Sequence, residues 1–138
     1  MEKDRLIELL NEDLSLEFQS IVQYVQHVAT ISGPEYQSTV EELRVHLGQE
    51  LKHAVVLAEQ IDFLGGVPTT TVPPVTAAEG SREALELDLQ LEEAQLDHYR
   101  QRVRDADDAG LPDVSEALRP LLEQTQEHVR DLQSVLDR

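Results

Sequence analysis

Apolar residues recur at alternating intervals of three and four along four separate segments of this chain. After a first series near the N-terminus, the second runs from Val40 to Leu64, the third from Leu85 to Ala106 and the fourth from Leu111 to Val135. Such spacing places one apolar stripe on each of four helices, and no segment shows the alternation of a strand. The first series shows the spacing in full and consists of Ile7, Leu10, Leu14, Glu17, Ile21, Tyr24, Val28 and Ile31. The four series together predict an all-α protein.

Glycine and proline separate the four segments and indicate how they are connected. Gly33-Pro34 and Gly110-Leu111-Pro112 are short breaks, so each is expected to join two antiparallel helices. The middle break, from Gly65 to about Glu79, contains the stiff stretch TTTVPPVT. A helix of about 27 residues is roughly 40 Å long, and about 14 extended residues reach roughly 45 Å. This predicts a single four-helix bundle over residues 1–138, with one long crossover between parallel helices two and three.

Charge and composition restrict the classes of partner and the chemistry of any site. Acidic residues outnumber basic ones by 28 to 11, giving a formal net charge of -17, which argues against nucleic acid or a membrane surface as a partner. No apolar run approaches the roughly 20 residues of a spanning helix, and the charged N-terminus does not resemble a signal peptide. A soluble cytoplasmic protein is expected. Cysteine is absent, so a metal site must use oxygen and imidazole ligands.

Ionisable residues interrupt the apolar stripes near the middle of the helices, which in a bundle lie at one level. A buried glutamate without a partner is costly, and neighbouring carboxylates raise each other's pKa. The stripes contain no lysine or arginine to compensate. Bound cations would replace this repulsion by coordination, and oxygen with imidazole favours iron or manganese, with zinc as a further candidate. The residues predicted to converge on one core layer are Glu17, Glu50, His53, Glu92 and His128.

The chain resembles the ferritin-like superfamily, and most of all the bacterioferritins, over nearly its whole length. The matching stretches are EFQSIVQYVQH at 17–27, ELKH at 50–53 followed by FLGGVP at 63–68, and DLQLE at 88–92. The resemblance implies a ferritin-like bundle whose core holds two metal ions. It implies the following roles: Glu17 and His53 bind one ion, Glu92 and His128 bind the other, Glu50 bridges the two, and Tyr24 is a redox-active residue beside them.

Three departures from the bacterioferritin pattern alter what the resemblance implies. The second bridging glutamate is replaced by Thr125, so three carboxylates face two divalent ions, and a weak second site or a single ion is expected. Leu51 replaces the haem-ligating methionine, so no haem is expected. The chain ends with the fourth helix, which argues against a 24-subunit cage. A homodimer is expected instead, through the outer apolar residues Leu6, Leu9, Val22, Val25, Val45 and Val56.

Further polar residues near the predicted layer receive subsidiary interpretations. Asp88 is expected to accept a hydrogen bond from His53 and so to fix the tautomer of that ligand. His46 is interpreted as a hydrogen-bonded core histidine, with a substitute metal ligand as the alternative. His27 and His98 are interpreted as surface or interhelix residues.

Three functions are compatible with the sequence. The leading hypothesis is a non-haem di-iron protein that binds Fe(II) in the bundle core and oxidises it with O₂ or peroxide, in the manner of a ferroxidase. The second is a non-catalytic metal-binding or interaction module that holds one ion. The third is peroxide disproportionation at a dimanganese centre, as in manganese catalases. The chain has no glycine-rich phosphate loop and no recognisable nucleophilic triad.

Overall fold

Four long helices make up most of the protein. A computed structural model describes residues 1–138 and has a short 3-10 turn, Pro34–Tyr36, before the second helix. It contains no strand, and none of its helices combines the length and the apolar character that crossing a membrane requires. The predicted all-α four-helix bundle is confirmed. The helices are α1 (Lys3–Thr30), α2 (Gln37–Phe63), α3 (Ser81–Asp108) and α4 (Pro112–Val135).

Two glycines allow α2 and α3 to end where the sequence breaks. Gly65 and Gly110 have φ angles of 91° and 76°, in the left-handed region that glycine adopts without a steric penalty. The backbone then turns so that the N–H of Gly66 donates to the carbonyl of Ile61, which satisfies an acceptor left open at the end of α2. Pro112 follows the second turn as the first residue of α4, where no N–H is needed.

Contacts between helices fix their directions. Glu17 lies against His53, whereas Tyr24, further along α1, lies against His46, which comes earlier on α2. These two helices are therefore antiparallel, and α3 opposes α1 in the same way. Because α2 and α3 both oppose α1, they run parallel to each other, as predicted. They occupy diagonal positions in the bundle and do not pack against each other.

The crossover, residues 64–80, runs along α1 for the length of the bundle. The side chain of Asn11 donates to the carbonyl of Val67 at 3.1 Å, and Gln19 donates to the carbonyl of Pro74 at 3.4 Å. The crossover then reaches the start of α3, which lies beside the end of α1. The long connection is thus held near its start and near its middle by two side chains of α1.

Apolar side chains form two separate clusters, one at each end of the bundle. The polar layer that carries the predicted ligands lies between them, so the core is interrupted at mid-height. The cluster near the start of α1 includes Leu6, Leu10, Leu57, Ile61 and Leu118. The cluster near the start of α3 includes Ile31, Leu43, Leu85, Leu132 and Leu136.

A buried ion-pair network beside the first cluster escaped the sequence analysis. Arg102, only 3% exposed, donates to both carboxylate oxygens of Asp13 at 2.7 and 3.0 Å and to Asp105 at 2.7 Å. His98 lies 3.1 Å from Asp13 and thereby joins the network between α1 and α3. The arginine is fully engaged by two aspartates, so it does not compensate the glutamates of the layer.

Only part of the predicted dimer surface lies on the outside of the bundle. Leu6 is fully buried, so its assignment to the outer surface was wrong, because it shares its stripe with Leu10 and packs into the first cluster. Leu9 and Val56 are half-buried. The remaining predicted residues are exposed: Val22, Val25 and Val45.

Candidate metal centre

All five predicted ligands lie in one buried layer. The carboxylates are contributed by α1, α2 and α3, and the imidazoles by α2 and α4, so every helix of the bundle takes part. None of these side chains reaches solvent, although all five are ionisable. Their exposed fractions are 0% for Glu17, Glu50 and Glu92, 2% for His53 and 1% for His128.

The five side chains form two groups that share one carboxylate. In the first group Glu17, Glu50 and His53 offer ligand atoms within 4.8 Å of one another, and Glu50, Glu92 and His128 do the same in the second. Two ligand atoms on opposite sides of one ion, each at about 2.1 Å, lie about 4.2 Å apart. Small side-chain rotations would therefore bring each group into coordination range, with Glu50 common to both.

Several atoms of this layer have no partner within the protein. They are Oε2 of Glu17, Glu50 and Glu92 and Nδ1 of His53. Buried polar atoms are normally hydrogen-bonded, so unpartnered ones require an explanation. Each of these four atoms belongs to a predicted ligand and faces the same layer. A set of carboxylate oxygens and imidazole nitrogen suits iron, manganese or zinc, and the residues present therefore fit divalent cations.

Two glutamines hold the outer edges of the histidines. Nε2 of His53 lies 2.7 Å from Oε1 of Gln124, and Nε2 of His128 lies 2.6 Å from Oε1 of Gln49. An amide oxygen only accepts hydrogen bonds, so each Nε2 carries the proton and donates it. Nδ1 of each ring is thereby directed at the carboxylates with its lone pair available, the tautomer a metal ligand needs.

The prediction that Asp88 accepts a hydrogen bond from His53 was wrong. Its carboxylate accepts from the side chain of Gln23 at 2.8 Å and lies 2.8 Å from Nδ1 of His27, not against His53. The reason is the diagonal arrangement: α3 packs on α1 and α4 but not on α2, while the outer edge of His53 faces α4. His27 is a buried interhelix residue, which agrees with one of its two interpretations.

Two buried tyrosines donate to the layer from above and below. The hydroxyl of Tyr24 donates to Glu92 at 2.8 Å, and that of Tyr99 donates to Glu17 at 2.5 Å. Burial, followed by the charge of Glu92, raises the pKa of Tyr24 well above its ordinary value, so the hydroxyl keeps its proton and acts as a donor. From the sequence, only Tyr24 was predicted to act at the metals, although Tyr99 follows Glu92 by two turns on the same stripe.

Without an ion, the layer relieves its charge by retaining a proton. Burial, and next the charges of Glu17 and Glu92, raise the pKa of Glu50 well above its ordinary value. Burial, the largest single effect, acts to raise the pKa of Glu92, but the hydrogen bond and charge of His128 and the hydrogen bonds of Glu50 and Tyr24 together outweigh it, and the net direction is downward. The shared carboxylate is therefore the one that holds the proton, and a cation that binds both groups would displace it.

Thr125 does not replace the missing sixth ligand. The residue is 1% exposed, and its hydroxyl donates to the carbonyl of Leu121 on its own helix at 2.7 Å. This local bond turns the oxygen back onto α4. The layer therefore has three carboxylates and two imidazoles, as the sequence predicts.

Replacing Thr125 with glutamate is expected to strengthen binding of the second ion by about tenfold or more, because a charged ligand joins both groups. The same change should destabilise the metal-free protein by adding a fourth buried acid. Calorimetric titration with Co²⁺ measures the affinity. Thr125→Gln is the control of matched size, and equal second-ion affinities in the two variants would contradict the prediction.

Comparison with known proteins identifies the family. The family model for the Ferritin-like domain matches residues 7–138. The chain therefore belongs to the ferritin-like family, and the resemblance inferred from its sequence is confirmed.

Its relatives include bacterioferritins and a di-iron protein. It is 26% identical to the bacterioferritin of Desulfovibrio desulfuricans over 128 residues, covering 92% of this chain and 72% of the relative. It is 28% identical to the bacterioferritin of Brucella melitensis over 134 residues, covering 96% and 83%. A solved structure of a ferritin-like, diiron-carboxylate protein from Bacillus anthracis superposes with a TM-score of 0.93 at 33% identity, covering 99% of each chain.

Proposed function

We propose that this protein binds two Fe(II) ions in its core layer and oxidises them with O₂ or peroxide. The observation that carries the proposal is the group of unpartnered buried atoms on Glu17, Glu50, His53 and Glu92. The description of the Bacillus anthracis relative as a diiron-carboxylate protein supports iron over other metals. Glu17 and His53 would bind one ion, Glu92 and His128 the other, and Glu50 both.

In the proposed reaction two Fe(II) ions give up one electron each. O₂ takes up both electrons and two protons and leaves as hydrogen peroxide, while two Fe(III) ions remain. The chain supplies fixed ligands in a layer from which water is excluded by the two apolar clusters. Glu50 releases its proton when the ions bind. Three carboxylates against two divalent ions leave one positive charge, which a small anion from solution would balance.

Anaerobic titration with Fe(II), followed by air, tests the proposal. Two Fe(II) ions per chain should bind, and air should produce ferric absorbance in the near ultraviolet together with oxygen uptake. The protein saturated with Zn²⁺ before iron is added serves as the control, because Zn²⁺ has no redox chemistry. Ferric absorbance that develops no faster than in buffer without protein would contradict an oxidase function.

The redox role of Tyr24 is a separate part of the proposal. Its hydroxyl donates to Glu92, so the phenolic proton has an acceptor when the ring is oxidised. The oxidant is the hydrogen peroxide formed in the first reaction: its reduction to water takes two electrons, one from a further Fe(II) ion and one from the ring of Tyr24, which leaves one Fe(III) ion and a tyrosyl radical. Freezing the reaction shortly after air is added should trap a tyrosyl radical signal in the electron paramagnetic resonance spectrum. The signal should vanish in Tyr24→Phe and persist in Tyr36→Phe. A signal that persists in Tyr24→Phe would contradict the role.

A one-ion module is the second candidate, and Thr125 is the observation that favours it. With the sixth ligand missing, the group of Glu17, Glu50 and His53 is the one whose free atoms include an imidazole nitrogen, so a single ion would bind there. Manganese or zinc suits the same donors. Elemental analysis of the purified protein distinguishes these cases: one tightly bound zinc per chain supports the module, and two manganese ions direct attention to peroxide disproportionation.

We also propose a homodimer formed by the outer faces of α1 and α2. In addition to the exposed valines of the original prediction, Leu51 and Val55 are more than half exposed on α2, which extends the apolar surface. Light scattering measures the mass directly, and a monomer at micromolar concentration would contradict the proposal.

Because Leu51 carries no thioether, we expect no haem at this surface; a haem absorption band in the purified protein would overturn that expectation. The cytoplasmic location stays a prediction.

A further inference from the structure

A second polar cluster lies one helical turn from the core layer. It consists of Glu42 and His46 on α2 and Asp131 on α4, whose ligand atoms all lie within 4.8 Å of one another. None of these residues belongs to the two groups of the core layer. His46 is 2% exposed, whereas the side chain of Asp131 is 41% exposed. The cluster therefore has a buried imidazole on one side and an opening to solvent on the other.

The hydrogen bonds of His46 leave one of its nitrogens without a suitable partner. Its Nδ1 lies 3.4 Å from the hydroxyl of Tyr24, whose only proton is donated to Glu92. The hydroxyl therefore offers only lone pairs to His46. When Nε2 carries the proton it donates to the carboxylate of Asp131, 3.0 Å away, and Nδ1 then faces the tyrosine hydroxyl with no proton between them. A cation bound by Nε2 and Asp131 would instead leave the proton on Nδ1, which would then donate to the hydroxyl of Tyr24.

The geometry at Asp131 suits joint coordination of one ion. Nε2 of His46 and Oδ2 of Asp131 are 3.0 Å apart. Donors at this separation, each about 2.1 Å from one ion, form an angle of about 90°, the value that adjacent ligands take in octahedral coordination. Glu42 precedes His46 by four residues and so lies on the same face of α2, where its carboxylate provides a third donor.

The charges of the cluster also favour a cation. Neither carboxylate forms an ion pair with a lysine or arginine; the only charged-pair partner of Asp131 is His46. A hydrogen bond to Asp131, and next burial, raise the pKa of Glu42 to about 7. The ligand atoms of the two carboxylates lie within 4.8 Å of each other, close enough for both to bind one cation.

We propose that Glu42, His46 and Asp131 form a third site, for one divalent cation. The site is separate from the core layer but adjacent to it, since the ring of His46 stacks on that of His128 with centroids 4.0 Å apart. Oxygen and imidazole donors with an open side suit Fe²⁺, Mn²⁺, Co²⁺ or Zn²⁺, with solvent completing the coordination. Only the imidazole of His46 would separate an ion bound there from His128, a predicted ligand in the group of Glu50, Glu92 and His128.

Calorimetric titration with Co²⁺ tests the site separately from the central layer. Compared with the wild-type protein, the single variant Asp131→Asn should bind one Co²⁺ ion fewer per chain, or should bind one of its Co²⁺ ions about tenfold or more weakly. The same difference should appear when Asp131→Asn is added to Glu50→Ala, in which the central groups have lost their shared ligand. The outcome therefore does not depend on whether the central layer binds two ions, one or none.

Two further variants make the result decisive. Glu42→Gln should reproduce the loss, whereas Glu41→Gln, an exposed neighbour on α2, should leave Co²⁺ binding unchanged. Anomalous diffraction from crystals soaked in Co²⁺ should show an ion beside Nε2 of His46. Equal Co²⁺ binding with and without Asp131→Asn, in both backgrounds, would overturn the proposal.

Discussion

Replacing Glu50 with alanine is expected to lower the initial rate of ferrous oxidation by at least about a hundredfold. Glu50 is the one residue that belongs to both groups of ligand atoms, so its loss weakens both ions at once. A hundredfold loss corresponds to about 2.7 kcal/mol of transition-state stabilisation, within the several kcal/mol that a metal ion contributes. Stopped-flow absorbance after air is mixed with the iron-loaded protein measures the rate.

The matched control for this experiment is Glu59→Ala. Glu59 is exposed on the same helix, so the control removes the same side chain and charge outside the core. Its rate should equal that of the wild-type protein. Should Glu50→Ala keep more than a third of the wild-type rate while circular dichroism shows an intact fold, oxidation does not take place between the two groups.

The metal-free protein is expected to lose stability above about pH 4.5 through Glu50. The pKa of Glu50 is raised in the folded protein above its ordinary value of 4.5, so the folded state binds the proton more tightly than the unfolded state. Stability from this group is complete below that value and falls as the pH rises, by up to about 1.4 kcal/mol per pH unit. Glu50→Gln should remove this contribution, so the variant should become increasingly more stable than the wild type.

Urea unfolding at pH 5, 6 and 7 in the presence of a chelator measures the difference between the two proteins. Other groups titrate in this range, including Glu42, but they are common to both and cancel in the difference. Glu59→Gln is the control and should follow the wild type. Divalent cations should reverse the order, since saturation to 100 times the dissociation constant adds about 2.7 kcal/mol per site. Parallel stability curves for wild type and Glu50→Gln would refute the prediction.

The sequence was most informative where one residue breaks a regular pattern. The stripes predict four helices, and the glutamates and histidines within them are conspicuous because everything around them is apolar. Glu17, Glu50 and Glu92 could therefore be placed in one layer from spacing alone. The crossover was equally accessible, because its length and stiffness allow only a connection along the bundle. These features depend on position within a helix, which the sequence contains directly.

What the sequence analysis missed depends on which helix each face meets. Gln49 and Gln124 are ordinary polar residues in a chain rich in glutamine, and their role appears only when α2 and α4 are packed together. Asp88 was assigned to His53 because both lie at a suitable height, but the diagonal position of α2 and α3 separates them. Arg102 lies beside the stripe residue Val103, and only the rotation of α3 turns it inward. Such rotations are set by packing between helices.

The division of the core into two apolar clusters has a consequence for engineering the protein. Since the clusters lie at opposite ends of the bundle and the ligands lie between them, each end is a module whose side chains can be exchanged without touching the centre. A volume-conserving redesign of the Leu10 and Leu57 end, or of the Leu85 and Leu132 end, alters melting behaviour while the coordination chemistry is preserved. Thermal stability can thus be changed at either end of the bundle, and metal binding can be changed separately in the layer between them.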